Sequence, residues 1–268
     1  MLTPKILCAA DVTPESVRWL WPGRIPHGKV TVIDGDPGLG KSTAMVDIAA
    51  RVTIHQPMPD GSRSDLDGPA SVLILSAEDG AGDTIRTRLE AAGADLERAI
   101  IWDCNIDDNG SELLPSLPED ISLMAELIQR HDVAMVTIDP IMAYLGSNTN
   151  SYRDQDVRRA LAPLAKIGEA TGAALVLVRH LNKAMGGSAI YRGGGSIGIV
   201  GAARSGLLAA KHPDDENRRI LASTKCNLGP QPPFLAYRLE GHANGAGYVV
   251  WEGVTAHSRC AGIPAAQR

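Results

Sequence analysis

The stretch from Val30 to Thr43 reads VTVIDGDPGLGKST. Val30, Thr31, Val32 and Ile33, all β-branched, run into Gly35, Asp36, Pro37, Gly38, Leu39, Gly40, Lys41 and Ser42, which match G-x-x-x-x-G-K-[ST] at every fixed position. Ala44, Met45, Ile48, Ala49 and Val52 then recur at helical spacing. Strand, glycine-rich turn and helix in that order make a Walker A phosphate loop. Its backbone N–H groups curl inward around phosphates, Lys41 adds a point charge for the β and γ phosphates, and the helix presents its positive dipole end. The Ser42 hydroxyl is suited to Mg²⁺, and Thr43 closes the cradle. A nucleoside triphosphate, with ATP as the expected ligand, is the first implication.

The chain has 268 residues, 44% of them hydrophobic, enough for one sizeable α/β core. Its formal net charge of -5 leaves no global basic field for nucleic acid, so any such contact has to be local. Cys8, Cys104, Cys226 and Cys260 form no CxxC pair, which argues against a zinc site or a disulfide framework and fits a reducing cytoplasm. No apolar run approaches the roughly 18 residues of a membrane span, and the first residues lack a signal-peptide pattern.

Residues 1 to 28, with four prolines and the close pair Trp19 and Trp21, read as a lead-in segment packed on the core, the tryptophans serving as packing anchors. Residues 29 to 252 read as the ATPase domain and 253 to 268 as a frayed tail. Within the domain, Ser71 to Ser76 is a short buried-type strand ending in Ala77-Glu78-Asp79-Gly80. A helix from Thr84 to Ala92 follows, with Arg86 and Arg88 expected to be solvated. Ala99 to Asp103 is a further strand, Asp107 to Pro118 an acidic loop, and Glu119 to His131 a helix.

Val133 to Ile138 is a continuous apolar strand ending in Asp139-Pro140, the Walker B pattern, which assigns Asp139 to the Mg²⁺ shell. Ile141 to Asp156 reads as a polar loop, followed by a helix to about Thr171. Ala173 to Val178 is another buried strand, ending in RHLNK. Met185 to Ser205 carries seven glycines together with Arg192 and Arg204, and reads as an ordered but movable loop running into a short helix. Four closing strands are expected over Gly206 to Ala210, Arg219 to Lys225, Leu235 to Leu239 and Gly247 to Trp251.

Ligands of open α/β sheets bind at the carboxyl ends of the strands, so acids and histidines placed there are candidates for chemistry. Glu78 can orient and deprotonate a water for attack on the γ-phosphate, or can be an acid of a helix N-terminal region. His180 can sense the γ-phosphate or be structural. Arg204 and Lys225 can reach a neighbouring subunit's nucleotide and stabilise spreading charge, or be surface cations. Arg192 among its glycines suits either a nucleic-acid contact or an oligomer contact.

The combination LWPGRIPHGKVTVIDGDPGLGKST, LSAEDG, VTIDP, RHLNK and GGGSIGIVGAARS resembles the RepA-type AAA ATPases, RecA-like hexameric replicative helicases of plasmids, phages and mobile elements. The resemblance covers about residues 15 to 252. It implies a RecA-like P-loop core, a mostly parallel central sheet flanked by helices and extended by antiparallel C-terminal strands. It also implies a homo-oligomeric ring, usually of six subunits, with ATP and Mg²⁺ at subunit interfaces, single-stranded DNA in the channel, and a role in DNA replication with a loading partner. On matching positions, Lys41 and Ser42 bind phosphate and metal, and Glu78 is the catalytic acid-base residue. Asp139 is then Walker B, His180 the sensor and Arg204 the finger, with pore loops after Asp139 and after Asn182.

Related DnaB-type motors carry Lys and Arg two apart on a late strand, whereas STKCNLG keeps Lys225 and has Asn227 in the arginine's place. The finger assignment is therefore divided between Arg204 and Lys225. Many relatives also continue into a winged-helix-like region, so a standalone motor, a shortened chain or a partner-supplied DNA-binding domain all fit. The rival readings are a RadA- or KaiC-type ATPase that remodels DNA strands or protein partners without processive unwinding, a non-catalytic ATP-dependent ring, and a small-molecule P-loop kinase. Retained Glu78 argues against the second, and the SAEDG acid with the glycine-rich loop argues against the third.

Overall fold

The computed structural model describes residues 3–146, 149–150, 153–181 and 198–255. Chain order begins with β1 (Trp19–Trp21) and β2 (Ile25–Pro26), which pair as a small antiparallel ribbon. Next come β3 (Val30–Gly35), α1 (Lys41–Thr53), β4 (Ser71–Ser76), one π-helical turn (Ala81–Ile85) and α2 (Arg86–Ala91). Then follow β5 (Ala99–Ile101), β6 (Asn105–Ile106), β7 (Glu112–Leu113), α3 (Ile121–Arg130) and β8 (Val133–Asp139). The described chain closes with α4 (Asp154–Thr171), β9 (Ala174–His180), α5 (Gly198–Ala202), β10 (Ser205–Lys211), β11 (Arg218–Cys226), β12 (Leu235–Gly241) and β13 (Gly247–Val254).

Nine strands form one sheet in the order β13-β12-β11-β10-β3-β9-β8-β4-β5. From β10 to β5 neighbouring strands are parallel, and β11, β12 and β13 add antiparallel strands beyond β10. This is the expected mixed α/β core with an antiparallel extension. Period-2 alternation divides the strands between two cores. Ile33, Val72, Ile74, Val176 and Val178 pack with α1 and α2, whereas Val32, Leu73, Leu75, Leu175 and Leu177 pack with α3 and α4. Both faces are covered, which explains why the parallel strands read as unbroken apolar runs.

Four local expectations change. The packing expected of residues 1 to 28 holds only from Trp19 onward: residues 3–18 are exposed, while Trp21 is fully buried. The acidic loop expected over Asp107 to Pro118 begins inside a two-stranded hairpin, because Asp107 accepts from the Asn109 and Ser111 N–H groups and ties the turn between β6 and β7. The polar loop expected after Asp139 starts with a buried 3-10 turn (Ile141–Tyr144), since Ile141 and Tyr144 fill the α3/α4 core. Gly253, where a tail is expected to begin, lies within β13, which runs to Val254, and the expected tail from residue 256 onward lies outside the described residues. The glycine-rich loop expected over Met185 to Ser205 lies outside the described residues as far as residue 197, Arg192 included, and so does the pore-loop position at Asn182. Among the described residues no helix is long and apolar enough to cross a membrane.

Candidate nucleotide site

Parallel register brings the carboxyl ends of β3, β9, β8 and β4 together. Gly35 pairs with His180, and Ser76 with Asp139, so the phosphate loop, Glu78, Asp139 and His180 converge on one edge of the sheet. The loop turns through Gly38 and Gly40, both at φ +76, a region that side-chain-bearing residues rarely occupy. Gly40 is the N-cap of α1, so the first free N–H groups of that helix face the loop's concavity.

Lys41 is 3% exposed, and burial lowers its pKa from the usual lysine value. Its ammonium donates to the carbonyls of Gly35 (2.9 Å) and Asp36 (3.0 Å) and meets His180 Nδ1 at 3.1 Å. Three donors thus have three acceptors inside the chain. Because an ammonium can only donate, Nδ1 accepts, which puts the proton of neutral His180 on Nε2; that nitrogen faces Glu78 Oε2 at 3.3 Å. Lys41, His180 and Glu78 therefore form one hydrogen-bonded chain. The Glu78 side chain is 60% exposed, open to an incoming water or phosphate.

Asp139 is 8% exposed, and burial raises its carboxyl above the usual range, against the pull of the Ser42 hydroxyl bonded to it. Its Oδ1 has no hydrogen-bond partner. Ser42, Ser76, Asp79, Thr137 and Asp139 line one side of a cavity of about 20 Å³, whose other wall is apolar, made by Met45, Val46, Ala49, Ile74, Ile85 and Val178. An orphaned carboxylate oxygen beside a hydroxyl, at the strand end next to the phosphate loop, is a donor set that fits a hard divalent cation. A much larger cavity, about 680 Å³, lies at the amino end of the sheet among Arg18, His27, Lys29, Asp132 and Glu169, away from this chemistry.

Arg204 and Lys225 do not join the site. Arg204 N donates to the Val30 carbonyl, at the amino end of β3 and roughly 16 Å along the strand from Gly35, while Lys225 pairs with Gly206, which stands level with Val32, roughly 10 Å from Gly35 along the strand direction. Arg204 is exposed, and its guanidinium forms no salt bridge among the described residues. Lys225 donates to the Val200 carbonyl, and burial, Arg204 and Arg158 all lower its pKa.

Three features escaped the sequence reading. Asp34 and Arg179, register partners on β3 and β9, form a buried bidentate pair at 2.7 and 2.9 Å under the site. A charge inside each of two apolar strands, opposite in sign and equally distant from the strand end, was the available signal. Arg88 is not solvated: it holds Asp79 at 2.6 Å and keeps that carboxylate occupied beside Glu78. The third is Tyr237, whose hydroxyl donates to the Leu39 carbonyl at 2.8 Å.

A family model of the AAA domain matches residues 6–186. Curated relatives include the DNA repair protein RadA of Mycobacterium tuberculosis, 28% identical over 163 residues, covering 60% of this chain and 28% of that protein. RadA of Bacillus subtilis is 26% identical over 163 residues, 60% of this chain and 30% of its own. RadA of Halalkalibacterium halodurans is 23% identical over 184 residues, 65% and 32%. The match thus spans about three tenths of the length of these relatives.

Proposed function

The chain belongs to the AAA domain family, and from that premise we propose that it hydrolyses ATP with Mg²⁺ at a site completed by a second copy, and that it works on DNA. One observation carries the reading: Lys41, Ser42, Glu78, Asp139 and His180 converge at one end of the sheet, while Arg204 and Lys225 stand at the other. A cation that cannot reach its own nucleotide can serve a neighbour's. The second end gathers three cations, Arg158, Arg204 and Lys225, with Glu169 beside Arg204. Head-to-tail contact between such ends closes into a ring when the rotation permits, and six copies is the ring size we propose.

In this scheme Lys41 exchanges its three acceptors, the carbonyls of Gly35 and Asp36 and His180 Nδ1, for phosphate oxygens, which frees His180. Ser42 and Asp139 would hold the metal, which would supply positive charge to offset that of the phosphates. Glu78, released from or still bonded to His180 Nε2, accepts a proton from the attacking water. His180 links phosphate occupancy to the acid, and its chain continues directly into residues 182–197.

Two finer readings remain, each with its own support. The RepA-type resemblance favours movement on single-stranded DNA and unwinding in replication; the RadA relatives favour strand remodelling in repair. The deciding measurement is steady-state ATPase rate with Mg²⁺, with and without single-stranded DNA, against a Lys41→Ala background. Stimulation by single strands supports action on DNA, and strand displacement on a forked duplex then separates unwinding from remodelling. A basal rate that DNA leaves unchanged sinks the DNA part of the reading, and a rate equal to the Lys41→Ala background sinks hydrolysis.

A further inference from the structure

We propose that the hairpin of β12 and β13 is a brace that holds the phosphate loop in its nucleotide-ready shape, with Tyr237 as the positioning residue; this rests on the nucleotide-site reading above. Its residues lie outside the segment 6–186 that the AAA model matches.

The hairpin touches the site's supports at four points. Tyr237 is fully buried, and its single polar atom has to find a partner there. That partner is the Leu39 carbonyl, between the two left-handed glycines of the loop, at 2.8 Å. Leu239, two residues on and so on the same strand face, sits directly under Gly40: a Cβ there would come within 2.7 Å of its Cδ2.

Trp251, the register partner of Tyr237, lies against that ring at 5.3 Å and edge-on to Trp21 at 5.9 Å. Its Nε1 donates to Asp47 Oδ2 at 2.8 Å, in the helix whose first turn carries Lys41 and Ser42. In the turn, Asn244 Nδ2 donates to the Thr87 carbonyl at 2.9 Å, on the helix that follows Glu78. Loop, loop helix and acid-bearing segment are thus bound to one rigid ribbon.

The physical reason such a brace matters is entropic. A glycine-rich loop free to sample many shapes has to be ordered when phosphate binds, and a loop held from outside loses less freedom at that step. Burial pushes the Tyr237 phenol above its ordinary range, so it stays a donor through the working pH range. The bond fixes the one loop carbonyl whose orientation sets the plane of the Leu39–Gly40 peptide.

Tyr237→Phe removes only the oxygen and keeps the ring packing. The expected result is a Kd for ADP about tenfold weaker, the scale of one neutral hydrogen bond, with KM for ATP raised by a similar factor and kcat close to wild type. Trp251→Phe should weaken ADP binding by a smaller factor, about threefold, because it loosens the helix rather than the loop. By reciprocity, ADP should slow amide exchange in residues 235–254 of the wild-type chain. ADP binding within twofold of wild type in both variants, with lowered thermal stability, would show a purely structural tyrosine and overturn the brace. Unchanged exchange over 235–254 in wild type saturated with ADP overturns it too. A wild-type chain that binds no ADP sinks the nucleotide reading itself, a result distinct from either.

Discussion

The two ends of the parallel strands treat their charges differently. At the carboxyl end the charges are tied within the chain: Lys41 to two loop carbonyls and His180, His180 to Glu78, Asp79 to Arg88, Asp34 to Arg179. At the amino end Lys29 holds Glu169 at 2.9 Å and Arg204, exposed beside that carboxylate, also crowds Lys225, whose pKa is lowered by burial and by that crowding. Like charges held close cost free energy unless something opposite arrives. On the function proposed above, the first end receives a ligand and the second meets another surface. The strongest way to break this contrast is to act on the second end.

Arg204→Ala should retain nucleotide binding and lose turnover by about 10³-fold or more if Arg204 stabilises the transition state on a neighbour's nucleotide. Mixing it with Lys41→Ala subunits should restore part of the activity, because some interfaces then pair an intact loop with an intact arginine. An Arg204→Ala protein with normal turnover would transfer the role to Lys225→Ala, and normal turnover in both would dissolve the two-ended picture. At the first end, Glu78→Gln should bind ATP and slow hydrolysis by about 10²- to 10⁴-fold, the usual worth of a positioned acid-base group. Unchanged hydrolysis would remove Glu78 from the mechanism.

Beneath the first end, Asp34→Ala removes the carboxylate that neutralises the fully buried Arg179 guanidinium. Loss of about 3–5 kcal/mol of folding stability is expected, read as a lowered urea midpoint. A loss under about 1 kcal/mol would mean that the pair supports the site's shape and contributes little to the fold.

What the chain's residues announced and what they concealed follows from distance along the chain. The phosphate loop is a local pattern, and eight adjacent residues sufficed to read it. Asp139 and the strands were legible because burial on both faces leaves apolar runs that end abruptly in acids. Asp34 with Arg179 and Tyr237 with Leu39 join residues 145 and 198 positions apart, and no spacing rule connects them before the sheet is assembled. Arg88 was misread as solvated because helical periodicity places it on a polar face but cannot show that Asp79 stands opposite. Residues 3–18 were misread as packed because prolines and apolar residues suggest a fixed segment without saying what would cover it.

The finest test of the contrast is electrostatic and needs no turnover. Burial holds the Asp139 carboxyl above its ordinary range. Folding therefore takes up a proton in the pH window between the ordinary carboxylate value and the raised one, and apo stability falls as pH rises through that window. Above the window the cost is fully present, carried by a buried carboxylate with one unpartnered oxygen. Asp139→Asn cannot ionise, so its stability relative to wild type should improve as pH rises from the ordinary carboxylate range through the raised one, with the shared contributions of other groups cancelling in the difference. Adding Mg²⁺ with ADP should then stabilise wild type more than the variant, because the cation compensates a charge that only wild type carries. A difference that stays flat with pH, or an equal response to Mg²⁺ and ADP, would mean that Asp139 is already satisfied, and that the first end is as closed within the chain as its other ion pairs.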